Sequence, residues 1–321
     1  MAIGTNAMTV NSLDNPSGTL PKEIVGEIWK GVQHASVVQR VAGTTPVPVT
    51  GGITYMQTGE LVAGIVGEGE NKPVTSGRTT TKTFKPVKVA AIAYWSKEAR
   101  QSNPGGYLDN LVEDLTSAVA RAVDLAVIHG KDARTGNPIA GVEYLAQSTN
   151  EVELGTSVKT KGGLNADLLD GYDKLAEKEY DLTGFIADPR LRSKLLRATD
   201  TQGRPIYQAS VSLHDAMDSV LGLPIAYGRG AVAGKVGAST DTGIRAIGGD
   251  FSTNLRLGFV ENITFKRTDT ATIVDGDTTV NLWQQNMEAI LVEAQFGWVL
   301  RDKDAFVLYK DAVADTETAA A

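Results

Sequence analysis

The sequence predicts an α+β fold in which one long helix, several long strands and an extended polar loop dominate. Between Leu108 and Val127, apolar residues recur every three or four positions, which is the period of an amphipathic helix. In "FKPVKVAAIAYWS" (84–96) the side chains alternate as in a strand with two unlike faces. The third pattern is "GEGENKPVTSG" (67–77), a polar stretch between two predicted strands. Because two residues suffice to close a hairpin, so long a loop predicts a contact outside its own subunit.

The first fifty residues predict an arm without a core of its own. Residues 1–19 are polar and rich in Gly, Asn, Ser and Thr. A short amphipathic helix is predicted from Pro21 onward, with Trp29 on its apolar stripe. Pro46 and Pro48 then favour extended chain.

Two strands and a long helix are predicted next. The strands cover 53–58 and 84–96 and flank the polar loop. Asn103 is the predicted cap of a helix that starts at Pro104 and ends at His129, a length of about 39 Å at 1.5 Å per residue. Its acidic residues predict either a partner surface or, more commonly, a solvated face. They are Asp109, Glu113, Asp114 and Asp124.

From Ile139 to about Leu257 the pattern changes to short alternating elements. Helices are predicted over 164–178 and 189–198, and strands in "GFIAD", "LGLPIAYG" and "RAIGGDF". This order predicts a compact α/β domain inserted after the long helix. Afterwards, "ENITFKRTD" and "NLWQQNMEAILVEAQFGWVLRDKDAFVLYKD" predict long strands joined by a polar turn at Asp275-Gly276.

Composition excludes several classes of protein. The chain has no cysteine, so disulfides and thiolate metal sites are excluded. Its 31 Lys+Arg and 38 Asp+Glu give a net charge of −7, the opposite sign to that of proteins that grip nucleic acid through phosphates. No apolar run approaches the roughly 18 residues of a membrane span, and the opening residues lack the segments of a signal peptide. We therefore expect a protein made in the cytoplasm, without membrane contact or specific DNA binding.

One glycine-rich stretch, "GRGAVAGK", invites a nucleotide-binding interpretation. Gly228, Gly230 and Ala233 fit G-x-G-x-x-A, but "VGASTDTG" follows without the helical stripe that would bring a helix amino terminus to a pyrophosphate. The P-loop pattern also fails, because Val236 stands where a magnesium-binding hydroxyl is required. The stretch predicts a glycine-rich surface loop and no cofactor.

No active site is visible in the sequence. His34, His129 and His214 are far apart and have no partner at metal-ligand spacing. The chain contains no G-x-S-x-G elbow and no cysteine nucleophile. We predict no metal site and no conventional enzyme activity.

The order of these parts resembles the major capsid proteins of tailed double-stranded DNA bacteriophages, which share the Hong Kong 97-type fold. The residues that carry the resemblance are "VGEGENKPVTSGRTTTKTFKPVKVAAIAYWSKEARQSNPGGYLDNLVEDLTSAVARAVDLAVIHGKD", "FIADPRLRSKLLRATDTQGRPIY", "AIGGDF" and "NMEAILVEAQFGWVLRDKDAFVLY". The parts that the resemblance implies are an N-terminal arm (1–50), an extended E-loop (51–96), a peripheral (P) domain with a long spine helix (97–137 and 258–300), an inserted axial (A) domain (138–257 and 301–312) and a flexible C-terminal tail (313–321).

The resemblance implies a structural subunit that assembles with itself into pentamers and hexamers of an icosahedral shell around packaged DNA. In this family the loop lies across the neighbouring subunit, a head-to-tail contact that closes into rings. The residues expected to make intersubunit contacts are Glu68, Glu70, Asn71, Lys72, Pro73 and Arg78 in the loop and Trp29 in the arm.

The other implied partners are those of a phage particle. We expect a separate scaffolding protein, because the arm begins close to Met1 and leaves no room for a scaffolding segment. Portal and decoration proteins are further implied partners, and packaged DNA is expected to be contacted non-specifically. The implied location is the virion, after assembly in the host cytoplasm.

The resemblance also suggests one covalent reaction. In the type member of the family, a loop lysine condenses with an asparagine of a neighbour, assisted by a glutamate; Lys72, Asn286 and Glu293 match these positions. The lysine amine, with a reference pKa of about 10.4, must first lose its proton in a dry pocket. Asn286 and Glu293 are seven residues apart and face opposite sides of a regular strand. The favoured interpretation is a noncovalent shell in which Lys72 makes an ordinary polar contact.

Two alternative functions stay open at the level of sequence. An encapsulin-type nanocompartment uses a similar fold to enclose an enzyme instead of a genome. A cytoplasmic α/β nucleotide-binding enzyme would use the loop at Gly228 and form small oligomers.

Overall fold

The chain is described here by a computed structural model that covers residues 36–44, 47–48, 51–57, 61–68, 71–75, 79–102, 107–207, 211 and 217–311. The helices within these residues are α1 (Val38–Val41), α2 (Lys97–Ser102), α3 (Tyr107–His129), α4 (Leu164–Ala176), α5 (Pro189–Arg197) and α6 (Phe251–Asn254). The strands are β1 (Gly43–Thr44), β2 (Gly52–Gln57), β3 (Thr79–Phe84), β4 (Val87–Ser96), β5 (Asn150–Leu154), β6 (Gly184–Ala187), β7 (Met217–Val220), β8 (Leu223–Tyr227), β9 (Ile244–Gly249), β10 (Leu255–Thr268), β11 (Thr272–Asp275), β12 (Thr278–Asn281), β13 (Met287–Leu300) and β14 (Phe306–Asp311). The helix predicted for the arm, with Trp29, lies outside the described residues.

A long four-stranded sheet forms the first half of the body. Its strand order is β1-β10-β13-β4, and the 14-residue strands β10 and β13 run antiparallel for about 46 Å at 3.3 Å per residue. One face of the sheet packs against α3 and shares its core, so the predicted apolar stripe of this helix is confirmed. The side chains that meet there include Val119, Val123 and Val127 of α3 and Val292, Phe296 and Trp298 of β13.

A six-stranded sheet of order β5-β14-β9-β6-β8-β7 forms the second half. On one face it carries α4 and α5, whose leucines pack on Phe185 and Tyr309. Its other face contributes Ile186, Ile247 and Leu308 to the core around α3. The central helix therefore joins the two sheets, and β14 returns after β13 to complete the inserted unit.

The α+β prediction is confirmed, and so are the two helices of the insert. Asp188 caps α5 by accepting the backbone N–H of Arg190, and Pro189 follows at the first helical position. The strands predicted in "GFIAD", "LGLPIAYG" and "RAIGGDF" correspond to β6, β8 and β9. Strands β5 and β7 were not predicted.

Two predicted elements differ from the structure in instructive ways. The strand expected over 84–96 starts later, at Val87, as β4. Lys85–Pro86 separates β4 from the unpredicted strand β3, because Pro86 has no N–H to continue a ladder. The polar turn around Asp275 is a two-stranded hairpin, β11–β12, which packs fully buried Val280 against the sheet. The Tyr94 hydroxyl donates a 2.6 Å hydrogen bond to Asp275 and fixes this hairpin.

Gly171 shows how closely the insert is packed, and it provides a stability test. A Cβ at this position of α4 would overlap the hydroxyl and ring of Tyr309, which is fully buried and donates to the carbonyl of Leu168 at 2.9 Å. Gly to Ala in a helix ordinarily stabilises by about 1 kcal/mol. We expect Gly171→Ala instead to lower the free energy of unfolding by roughly 1–3 kcal/mol through overpacking. Urea unfolding measures the sign, and Gly171→Ala combined with Tyr309→Phe is expected to recover part of the loss; a stabilised single variant contradicts the packing.

Candidate assembly surfaces

The hairpin β2–β3 forms its own sheet, and its β3 strand lies beside β13 of the long sheet. Its strands pair antiparallel from Gly52↔Phe84 to Gln57↔Thr79, and in the described part of the chain they form a sheet of two strands only. Ile53 and Tyr55 are 60% and 74% exposed. An isolated two-stranded ribbon is marginally stable in water, so this hairpin lacks the cover that its apolar side chains require.

The loop beyond the hairpin carries further uncovered apolar residues. Ile65 and Val74 are fully exposed, and Leu61 and Val62 are more than half exposed. Several large apolar side chains exposed on one loop favour a contact with another protein. The polar pattern at 67–77 drew attention to this loop, but the apolar residues just before it were missed.

The loop residues predicted to make intersubunit contacts are accessible where the structure describes them. Glu68, Asn71, Lys72 and Pro73 are exposed. Glu70 and Arg78, together with Trp29 of the arm, lie outside the described residues. Their role in contacts stays a prediction.

The residues that would form the cross-link do not come together within one chain. Asn286 ends the turn before β13, with a φ of +55° that asparagine tolerates better than most residues, and its amide donates to Glu98 at 2.5 Å. Glu293 lies in β13, seven residues beyond Asn286 and about 23 Å further along the sheet at 3.3 Å per residue. Any shared site with Lys72 must therefore combine residues from different copies.

Glu293 is engaged by two lysines on the face of the sheet opposite α3. Its carboxylate accepts from Lys88 at 3.0 Å and from Lys266 at 3.2 Å. These two hydrogen-bonded cations hold the pKa of Glu293 below its usual value. A carboxylate so stabilised in its charged form is a weak base for removing a lysine proton.

The buried end of the arm is fixed by a carboxylate of α3. Asp124 is 2% exposed and accepts hydrogen bonds from the Ser36 hydroxyl, the Val37 N–H at 2.8 Å and the Val38 N–H at 3.2 Å. It thereby satisfies the amino terminus of α1, whose own cap position supplies no side-chain bond. The prediction that Asp124 belongs to an acidic solvated face or partner surface is wrong, because this residue points into the core. The buried neighbours Val123, Leu125 and Ala126 are the signal that could have identified it.

The loop that begins at Gly228 also packs against the described end of the arm. A Cβ at Gly228 would overlap the side chain of Val37, so only glycine lets the arm lie this close. Ala231, Val232 and Ala233 are buried, and turns rather than a helix follow the glycines. The prediction of a surface loop is wrong, because this loop is part of the core.

The described histidine has a structural role. His129 is buried and its Nε2 lies 2.9 Å from the carbonyl of Val232, which ties the end of α3 to the Gly228 loop. Burial lowers the pKa of His129, so the ring is neutral and donates this bond. His34 and His214 lie outside the described residues. Within the described ranges no three potential metal-ligating side chains converge, and no helix is long and apolar enough to cross a bilayer.

Comparison with known proteins identifies the family of this chain. The model of the phage capsid family matches residues 17–311. A probable major capsid protein, gp17 of Mycobacterium phage L5, is 33% identical over 302 residues, which cover 90% of this chain and 88% of that protein.

Solved structures agree with the sequence comparison. A chain from Gordonia phage Cozz superimposes with a TM-score of 0.79 at 33% identity and covers 92% of this chain and 93% of its own length. A chain from Mycobacterium phage Ogopogo gives a TM-score of 0.76 at 25% identity, with 91% and 97% covered.

The buried carboxylate at the arm predicts a definite pH dependence. Burial raises the pKa of Asp124 from 3.8 to about 6. Its contribution to stability is therefore complete below the unfolded pKa and declines as pH rises through 6. We expect Asp124→Asn to destabilise the subunit at every pH, because the amide NH2 group would face hydrogen-bond donors of residues 36–38 and cannot accept from them. The loss in free energy of unfolding is expected to be roughly 2 kcal/mol smaller at pH 7 than at pH 4.5.

Urea unfolding of the unassembled subunit at the two pH values measures this difference. Glu113→Gln, an exposed carboxylate on the same helix, is the control and should show a much smaller change. A loss of stability in Asp124→Asn that grows with pH would contradict the prediction. It would mean that the three hydrogen bonds lower the pKa of Asp124 by more than burial raises it.

Proposed function

Because the chain belongs to the phage capsid family, we infer that it is a major capsid protein, a structural subunit that forms the shell of a tailed phage. Its α+β fold is of the Hong Kong 97 type. The observation that carries the function is the hairpin β2–β3 with its loop, which exposes apolar side chains on a chain whose body is otherwise well packed.

We propose that this hairpin and loop are the extended loop that lies on the neighbouring subunit. On the same basis α3 is the spine helix of the peripheral domain, and the six-stranded unit is the axial domain. Strand β4, within the 51–96 segment assigned to the loop, pairs with β13 and is the base from which the loop leaves. Head-to-tail contacts of this kind generate closed rings, which supports pentamers and hexamers as the units of an icosahedral shell.

The contents and partners of the shell follow from this role. The shell would enclose double-stranded DNA, and the net charge of −7 supports weak, non-specific contact that lets DNA move during packaging. The proposed partners are a separate scaffolding protein, a portal protein and decoration proteins, with assembly in the host cytoplasm.

The two alternative functions have less support. The similar proteins are phage capsid proteins, which does not favour an encapsulin-type compartment. A nucleotide-binding enzyme is disfavoured because the Gly228 loop is not open to a ligand. The side chain of Val37 packs against Gly228, and Ala231 and Ala233 of the loop are buried.

Assembly by the hairpin can be tested with the chain produced together with the proposed scaffolding protein. We expect electron microscopy to show closed shells for the unaltered chain and unassembled subunits for the double variant Ile53→Ser, Tyr55→Ser, because the apolar contact is removed without touching the core. Val158→Ser, an equally exposed valine of the inserted unit, is the control for loss of surface apolarity. Normal shells from the double variant would contradict the proposal, and a small nucleotide-binding oligomer would support the enzyme instead.

We propose further that the shell is noncovalent. The engagement of Glu293 by two lysines and its distance from Asn286 support this choice. Mature particles are expected to give a single band at 34.0 kDa in a denaturing gel. A ladder of multimers that disappears in Lys72→Arg would establish the cross-link instead.

A further inference from the structure

The hairpin is joined to the body by a root, which we define as residues 51–52 and 84–86. On one side β2 begins after Gly51, whose φ of +84° is a glycine conformation. On the other side, Lys85–Pro86 interrupts the path from β3 to β4. A Cβ at Gly51 or Gly52 would overlap Phe84, so the root is compact and its ladder is not continuous with the sheet.

A cleft of about 290 Å³ lies beside this root. The hairpin side is formed by residues 81–85, and the body side by residues 141–143 and 298–300. The hairpin and the body are therefore separated by open space on this side of the root.

One side chain spans the cleft. Lys82 Nζ donates to Glu143 Oε2 at 2.6 Å and to the carbonyl oxygen of Leu300 at 2.9 Å. Glu143 is itself held, because Trp298 Nε1 donates to its backbone carbonyl at 2.7 Å. The ion pair thus connects the hairpin, the segment that follows α3 and the end of β13.

We propose that Lys82 and Glu143 are positioning residues that set the angle at which the hairpin projects toward the neighbouring subunit. The proposal rests on the proposed function, because that angle matters only if the hairpin contacts another copy. The side chains of Lys82 and Glu143 are 27% and 54% exposed, and partly exposed ion pairs are weak and screened by salt. Such a pair biases the free subunit toward one angle, and it can be broken without unfolding the body.

The angle can be measured before assembly, in the full-length unassembled subunit. The chain has no cysteine, so spin labels can be placed on Tyr55→Cys of the hairpin and Ile92→Cys of β4, both well exposed. Double electron–electron resonance then reports the distribution of distances between them. We expect Lys82→Met and Glu143→Gln each to broaden this distribution at least twofold, and the combination to broaden it no further, because both remove one interaction.

Lys85→Met is the matched control, since Lys85 lines the same cleft; it should leave the distribution unchanged. An unchanged width in Lys82→Met, or additive broadening in the combined variant, would overturn the proposal. Should Lys82→Met lose the native circular dichroism spectrum, Glu143→Gln alone decides, because its side chain is half exposed. Failure of every variant and of the parent chain to form shells would instead count against the proposed function, since the distances are measured without assembly.

Discussion

The structure depends on one constraint: within the residues that the structure describes, the hairpin and its loop leave their apolar side chains uncovered. Ile53, Tyr55, Ile65 and Val74 are exposed in a molecule whose two sheets and central helix otherwise share a continuous core. A two-stranded ribbon needs further strands, or packing against another element, to be stable in water. In a capsid protein, another copy of the same subunit can supply that packing. The subunit therefore has a well-packed core but an apolar surface that still lacks a partner.

The core around α3 also holds the described end of the arm. Helix α3 lies between the two sheets, and the buried Asp124 on it binds the first described residues of the arm. The Gly228 loop, which has the appearance of a nucleotide motif in sequence, closes over the same segment. Both features join parts that are distant in the chain, because each holds residues 36–38 of the arm against the core around α3.

Much of this fold could be predicted from sequence because its helices and strands have regular or continuous apolar patterns. The stripe of α3, the helices of the insert and the strands β6, β8 and β9 follow from apolar spacing and from caps such as Asp188. What could not be predicted depends on contacts between distant residues. Asp124 has apolar neighbours in sequence, but its partners Val37 and Val38 are 87 and 86 residues away, so its role as their acceptor was not readable. Strand β5 contains only two apolar residues, Val152 and Leu154, and it becomes a strand by pairing with β14. The break at Pro86 was readable from the missing N–H, but its importance as a root for the hairpin needed the cleft beside it.

The central claim is that the loop finds its cover on another copy. Hydrogen–deuterium exchange of the amides in residues 61–75, compared between unassembled subunits and closed shells of the same protein, tests it most directly. The account predicts rapid exchange in the free subunit and strong protection in the shell, with little change in the core strand β13. Equal protection in both states would mean that the loop already packs on its own body, and the account would be wrong.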